Sequence, residues 1–316
     1  MRVLVTGANG FIGSALVKHL SLQPDFAVRA AVRAMPARGV AAVNYQAVGA
    51  VDGATRWSEA LEDIQVVVHL AARAHVMNDD PVRAVQLFRE VNVDGAVALA
   101  QQALEAGVKR FVFVSSIGVN GNVSQAPFSE SSPARPHAPY AESKYQAEQA
   151  LTELFKDTAT ELVIVRPPLV YDAQAPGNFR RLLTLVRNGI PVPLGMIGNH
   201  RSMISRDNLV EILTLCVEHP AAANELFLVA DGEDLSTGEI VKVLGQGMGR
   251  SVLLVPVPAV FLRWAATLTG RRNMYTQLCE SLQVDACKLR NVLGWRPRVS
   301  TRDQLQAVGR AFLAGQ

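Results

Sequence analysis

The stretch that most constrains this chain is its opening, MRVLVTGANGFIGSALVKHL. A β-branched and aliphatic run, Val3–Val5, leads directly into glycines at 7, 10 and 13. Phe11–Leu20 follows, with Ile12, Leu16 and Leu20 on one helical face. Glycine is costly inside regular structure, so three at this spacing need a local reason. In a strand–turn–helix unit each has one. Gly7 permits the tight turn, Gly10 lets a pyrophosphate approach the backbone with no Cβ in the way, and Gly13 lets the helix pack close on the strand. The N–H groups and positive dipole end of the helix then face the phosphates. Glycine triplets alone are weak evidence; the place of this one, between the first strand and the first helix, makes it a dinucleotide-binding candidate.

The same alternation continues along the chain. Strands are expected at Ala27–Arg33, Val43–Val48, Val66–Leu70, Arg110–Ser116 and Leu162–Val165. Pro81–Ala106 reads as one long helix stopped by Gly107, and Tyr140–Phe155 as another. Near-continuous apolar strands alternating with helices imply a parallel sheet covered on both faces, a doubly wound α/β (Rossmann) domain over residues 1–170. Residues 171–316 are expected to form mainly a smaller mixed α/β substrate lobe, with some segments returning to the first domain. Gly177–Asn188 and Asp207–His219 look helical there, Glu225–Val229 looks like a strand, and Ser236–Glu239 is a capping-box signal.

Composition narrows the class. The formal net charge of +3 on 316 residues reads as spread along the chain; it gives no case for nucleic acid and suits a small anionic ligand. Cys216, Cys279 and Cys287 form no CxxC pair, which implies reduced thiols and a cytoplasmic protein. Strand-like residues begin at Arg2, so no leader is expected. The longest apolar run, Val252–Leu262, is 11 residues with two prolines. A bilayer span takes roughly 20. The stretch Val257–Leu268, with Phe261 and Trp264, is charged only by Arg263 and is expected to be a core or subunit-contact helix rather than one lying on a membrane.

The second strand speaks to the cofactor. Where an acidic residue would grip a ribose 2′-hydroxyl, this chain has Val32 and Arg33, with Arg29 and Arg38 nearby and no acid before Asp52. A guanidinium fork matches a 2′-phosphate, so NADP(H) is the preferred cofactor, with NAD(H) possible. The strongest chemical signal is YAESK, which puts Tyr140 and Lys144 on one face of a helix. An ammonium near a phenol favours the phenolate, so Lys144 is expected to lower the Tyr140 pKa toward neutrality. Ser115 and Ser116 end the preceding core strand, where open α/β sheets bind ligands.

On these residues the chain resembles the extended short-chain dehydrogenases/reductases, which include nucleotide-sugar epimerases, dehydratases and 4-keto reductases. TGANGFIG (6–13), HLAA (69–72), NVDG (92–95), YAESK (140–144), RPPLVY (166–171) and LGW.P (293–297) resemble the family's motifs, although Asp172 replaces a usual glycine. The resemblance implies a catalytic set of Ser116, Tyr140 and Lys144. It places Gly7, Asn9, Gly10, Phe11, Ile12, Arg33, Leu70, Ala71, Ala72, Asn92, Ser115, Lys144 and Pro167 at the cofactor. It gives Ser116, Tyr140, Asn178 and Arg201 to the sugar nucleotide, with Arg263 or Arg272 as further cations for its diphosphate. His69 and His75 have no carboxylate or cysteine at ligand spacing, so no metal is expected; His75 is kept as a substrate-side candidate. A homodimer through Pro81–Ala106 and Tyr140–Phe155 is implied by the resemblance alone.

Within that family, Ile117 and Gly118 stand where dehydratases carry an Asp–Glu pair, so dehydration is not expected. The absent ribose acid and Arg33 favour an NADP(H)-dependent reductase acting on the C4 keto group of a UDP-linked 6-deoxy-N-acetylhexosulose, as in reductases of the UDP-N-acetyl-quinovosamine type that serve surface polysaccharide synthesis. The alternative is an NAD-dependent UDP-hexose or UDP-N-acetylhexosamine 4-epimerase. An intact Ser–Tyr–Lys set speaks against a non-catalytic NADP-binding sensor.

Overall fold

The computed structural model describes residues 1–74 and 81–315. The expected helix start at Asp79–Asp80 and the candidate His75 lie outside the described residues. Six strands and the first five helices alternate along the first half: β1 (Arg2–Thr6), α1 (Gly13–Ser21), β2 (Ala27–Val32), β3 (Asn44–Ala47), α2 (Ser58–Leu61), β4 (Val66–His69), α3 (Pro81–Arg89), α4 (Gly95–Glu105), β5 (Arg110–Val114), α5 (Pro139–Phe155) and β6 (Glu161–Arg166). β7 (Leu169–Tyr171), α6 (Gly177–Arg187), β8 (Met203–Ser205), α7 (Arg206–Glu218) and β9 (Leu226–Leu228) follow. The chain closes with α8 (Thr237–Gly247), α9 (Ala259–Leu268), α10 (Arg272–Cys279), α11 (Cys287–Leu293) and α12 (Thr301–Ala314).

Seven strands form one sheet in the order β3-β2-β1-β4-β5-β6-β9, every neighbouring pair parallel. Its central strands are nearly continuous apolar runs because both faces are covered, while the edge strand β3, NYQA, is polar and partly exposed. Val3, Val5, Val28, Val66, Val112 and Val163 point into one layer with Leu16 and Leu20 of α1 and Leu209 and Leu213 of α7. Leu4, Val67, Phe111, Phe113, Leu162 and Ile164 point into the other, against Leu99 and Ala103 of α4 and Ala147 and Leu151 of α5. The order reverses between β1 and β4, which opens a crevice at their carboxyl ends. β9 returns to the sheet edge beside β6 after the chain has left for the β7–β8 pair. Where the smaller lobe is expected, α6, α8 and α12 pack around Phe179, Leu183, Leu244 and Leu305.

Two sequence expectations change. The long helix at 81–106 is interrupted by a π-helical turn, Glu90–Asp94, between α3 and α4. Such bulges re-aim side chains without ending the helix, and this one aims Asn92 inward, 1% exposed. Of the core and subunit-contact roles expected for Val257–Leu268, the core role is not found: α9 buries only Ala266, with Leu262 packed partly buried against the cluster around Phe179.

α5 is fixed in depth by a buried ion pair. Arg166, at the end of β6, donates from Nε to Glu148 Oε1 at 2.9 Å and from Nη2 to Oε2, while its Nη1 reaches Asn120 Oδ1 at 3.0 Å. Both side chains are closed to solvent, at 7% and 5% exposure. Removing one partner of such a pair strands the other charge, at a cost of about 3–5 kcal/mol. Glu148→Leu is therefore expected to lower stability by about that much. The double variant Glu148→Leu/Arg166→Leu should recover most of the loss; chemical denaturation of the three proteins checks this, and equal losses in single and double variants would contradict it.

Candidate active site

The glycine loop turns as its sequence requires. Gly7 has φ +63°, and a Cβ there would lie 2.8 Å from the backbone nitrogen of Ala71. A Cβ at Gly13 would lie 2.2 Å from the Gly7 carbonyl oxygen, so only glycine lets α1 start this close to the turn. Gly10 N–H donates to the Gly7 carbonyl at 2.8 Å, and no side chain caps the first turn of α1. The result is a backbone cradle with a helix N-terminus behind it, the arrangement a pyrophosphate fits. Asn9 and Gly10 are exposed on the loop, and Phe11 and Ile12 are half-buried beside them.

Across the crevice, Thr6 ties β1 to the turn after β4. Its hydroxyl oxygen accepts from the backbone N–H groups of Leu70 (3.2 Å) and Ala71 (3.1 Å) and lies 2.8 Å from His69 Nδ1. With both N–H donors arriving at its oxygen, the hydroxyl proton goes to Nδ1, which leaves the His69 proton on Nε2. Burial, and then the charge of Lys144, push the His69 pKa down to about 3, so the ring is neutral. Its Nε2 and the buried Ser115 Oγ find no hydrogen-bond partner among the described residues. Ser116 Oγ accepts the Gly118 N–H at 3.1 Å, which leaves its own proton free to donate.

Asn92 knits the crevice to α5. It accepts the Arg73 N–H at 2.8 Å and donates to the Arg73 carbonyl at 3.1 Å and to Ser143 Oγ at 2.9 Å. Ser143 Oγ in turn donates to the Tyr140 carbonyl at 2.8 Å. Asn92 thus acts on the site by holding the 73 loop against the first turn of α5, with its amide engaged by the protein itself rather than pointing a free group at a cofactor.

Tyr140 stands edge-on to Phe88, with ring centroids 6.1 Å apart. One turn on, Lys144 is 2% exposed, and its ammonium lies 4.2 Å from the centre of the Phe113 ring. The expected lowering of the phenol pKa is absent here. Burial pushes Tyr140 up to about 12, and burial, partly opposed by Glu148, pushes Lys144 down to about 7. Desolvation outweighs proximity because the ammonium stands on an aromatic face and bonds to no oxygen. Tyr140 is consequently a protonated acid at neutral pH, and Lys144 is a hydrogen-bonding group that no described residue engages.

The residues named for the ribose separate. Arg33 is exposed and lines a cavity of about 300 Å³ with Ala72, Arg73, Ala74 and Val91. Arg29 instead donates to the carbonyls of Glu59, Ala60 and Glu62, where α2 ends, so it belongs to the scaffold. Arg38 lies in the irregular, exposed segment before β3. Pro167 is buried, and its carbonyl accepts the Ile117 N–H at 3.0 Å.

On the lobe side, Asn178 opens α6 and donates from Nδ2 to Gln277 Oε1 of α10. Arg201 is half-buried; it pairs by backbone with Leu235 and donates from Nη1 to the Glu280 carbonyl at 3.2 Å. Arg263 and Arg272 lie exposed on α9 and α10. A larger concavity of about 560 Å³ follows Arg180, Arg181 and Ile190 along the outside of α6, away from Tyr140 and Lys144.

Two features were not legible in the sequence. Arg206 pairs with Asp172 at 3.2 Å and lies 5.3 Å from the Phe11 ring, so it locks the glycine loop to the segment after β7. Asp172, which departs from the family's glycine, thereby has a structural partner. Tyr171 donates to the buried Asp231 at 2.6 Å, and the same carboxylate accepts from the Ser205 backbone and from Asn208. Partners 34 and 60 residues apart leave no local signature.

A model of the NAD dependent epimerase/dehydratase family matches residues 3–230. A UDP-glucose 4-epimerase of Vibrio cholerae is 40% identical over 319 residues, covering 98% of this chain and 95% of that protein. An N-acetyl-α-D-glucosaminyl-diphospho-ditrans,octacis-undecaprenol 4-epimerase of Escherichia coli O157:H7 is 27% identical, covering 91% and 88%. Among solved structures, UDP-glucuronic acid 4-epimerase from Bacillus cereus in complex with NAD superposes with a TM-score of 0.80 at 21% identity, covering 100% of this chain and 99% of that one. DesIV, a dTDP-glucose 4,6-dehydratase of Streptomyces venezuelae with NAD bound, gives 0.78 at 26%, covering 99% and 97%.

The depressed Lys144 pKa has a pH signature in the cofactor-free protein. Between about 7 and the ordinary 10.5 the unfolded chain binds the proton more tightly, so the lysine's destabilising contribution is complete at low pH and fades as pH rises. Lys144→Met is expected to melt higher than wild type at pH 6.5, by a margin that shrinks steadily toward pH 9.5. A margin that stays constant in thermal melts across that range would contradict the assignment.

Proposed function

We infer that this chain, which belongs to the NAD dependent epimerase/dehydratase family, interconverts the C4 epimers of a UDP-linked hexose or N-acetylhexosamine with tightly held NAD. The observation that carries the reading is the 40% identity, over nearly the whole of both chains, with a UDP-glucose 4-epimerase. The site geometry is compatible with it. The glycine cradle follows β1, the unengaged Ser115 hydroxyl follows β5 and the Lys144 ammonium stands over Phe113 of β5; these groups suit a dinucleotide diphosphate, its nicotinamide and its ribose hydroxyls.

The chain's own residues divide the work. Tyr140 carries the mobile proton: protonated on its own, its phenol would give that proton to solvent as the ligands bind, then as a phenolate take the sugar hydroxyl proton and later return it to the same oxygen. Ser116 holds that oxygen, its hydroxyl proton free because Gly118 N–H occupies its own lone pair. Lys144, raised in pKa by oxygen partners, stays charged and supports the phenolate. When bound, NAD supplies the group that accepts and returns the C4 hydride. Dehydration needs a second acid and base beside the sugar. Ile117 is 5% exposed within an apolar cluster, and a Cβ at Gly118 would stand 3.2 Å from that of Ala141, so neither position accommodates them.

One observation favours a second reading, an NADPH-dependent 4-keto reductase. Arg33 borders the cavity beside the ribose-reading strand end, and no acid stands there. The two readings part on cofactor economy. With UDP-glucose or UDP-N-acetylglucosamine and no added cofactor, the epimerase is expected to produce the galacto epimer to equilibrium, and Tyr140→Phe should lower kcat by roughly 10²–10⁴ while NAD binding persists. Consumption of NADPH with a 4-keto sugar, and no epimer formed, would replace this reading by the reductase.

A further inference from the structure

We propose that α9 docks the protein on an anionic phospholipid surface. The helix is amphipathic in the inverted sense: its apolar face points out. Val260, Phe261, Trp264 and Leu268 are 73%, 66%, 70% and 73% exposed. At about 100° per residue these four side chains fall within an arc of roughly 100°. The opposite side is anchored, with Ala266 buried and Leu262 packed on the lobe core that holds Phe179 and Leu183. Leu253, just before the helix, and Met274, on α10, extend the apolar surface at 63% and 49% exposure. A face of this size with two aromatics is what interfacial helices bury at the headgroup–acyl boundary.

Charge decides the occupant. The net charge, even over the chain as a whole, is not even here. Residues 240–279 contain no aspartate or glutamate and five cations, Lys242, Arg250, Arg263, Arg271 and Arg272. All five are exposed, and none makes an ion pair with a described residue. Arg263 flanks the apolar arc, and Arg271 and Arg272 follow its carboxyl end. A second copy of this chain, related by a twofold axis through α9, would bring these arginines against each other with no carboxylate from 240–279 to neutralise them. Anionic headgroups complement both parts of the surface, at about 1 kcal/mol for each cation brought near them. The helix is no membrane span; no helix among the described residues is long and apolar enough for one. Docking here would also face the substrate lobe toward the bilayer, since α10 packs beside α9 and carries Gln277, which binds Asn178.

The three tryptophans give the test its readout. Trp57 and Trp295 are 0% and 6% exposed, so a change in the emission of the folded protein on adding vesicles reports Trp264. With vesicles of phosphatidylglycerol and phosphatidylcholine in about 0.1 M salt, the protein is expected to co-sediment and its emission to shift to the blue. Pure phosphatidylcholine should bind at least about tenfold more weakly, and Arg271→Gln/Arg272→Gln should remove most of that preference. Phe261→Glu should lower co-sedimentation by about tenfold or more, with Val260→Ser/Leu268→Ser as a milder check should the first variant melt abnormally. No shift and no sedimentation of wild type with phosphatidylglycerol vesicles would overturn the proposal. So would a soluble dimer that Phe261→Glu dissociates, which would assign the face to a second copy, or binding to an acidic protein that leaves vesicles untouched.

Discussion

The constraint on which the rest depends is the contact between the start of α1 and the first turn, where a Cβ at position 13 would stand 2.2 Å from the Gly7 carbonyl. Because that space is closed, the helix begins directly behind the loop. Because Gly7 in turn admits the Ala71 backbone, the loop meets the end of β4 at the place where strand order reverses. The crevice is therefore defined by backbone approaching backbone, which no side-chain packing elsewhere could replace. Thr6 then adds the hydrogen bonds that keep the β4 turn from drifting away.

Within that frame, charge is managed by desolvation more than by pairing. His69 is held neutral, Tyr140 protonated, and Lys144 on the verge of losing its proton. A fully paired buried charge, Glu148–Arg166, lies a turn beyond Lys144 and sets the depth of α5. The site is thus rigid in position but unsatisfied in charge. An oxygen-rich ligand entering the crevice would meet a lysine whose proton affinity rises as it gains partners, and through it a phenol whose proton becomes easier to move. Such coupling makes the acid/base group responsive to occupancy.

What the sequence made legible was whatever local spacing encodes. Glycines at 7, 10 and 13 specify a turn and a helix start; Tyr140 and Lys144, four apart, specify a shared face; Gly107 ends a helix at φ +70°. What it concealed depends on contacts distant in the chain or on the balance of burial against charge. Asp172 looked like a departure from pattern until Arg206 supplied its partner. Arg29, noted beside Arg33 on the second strand, is claimed by the carbonyls at the end of α2, a contact its sequence position does not reveal. The π turn at Glu90–Asp94 leaves no mark on hydrophobic periodicity, since the apolar face continues through it. For α9, periodicity shows that an apolar stripe exists and is silent on what covers it.

The number of proton-transfer groups limits the reaction more sharply than the fold does. A seven-stranded parallel sheet of this order hosts many chemistries. Removal of water from a sugar needs one group to abstract a carbon-bound proton and another to protonate the leaving oxygen, both beside the ring. Here the residues next to Ser116 are Ile117, buried in an apolar cluster, and Gly118, where even a Cβ would stand 3.2 Å from that of Ala141. Among the described residues the site offers one phenol, which can place a proton on an oxygen and take it back, and can do so from either face of a carbonyl that turns between the two events. Epimerisation needs nothing more from the protein, provided the cradle retains the dinucleotide between the halves of the cycle, and retention is what close backbone contacts along a diphosphate supply.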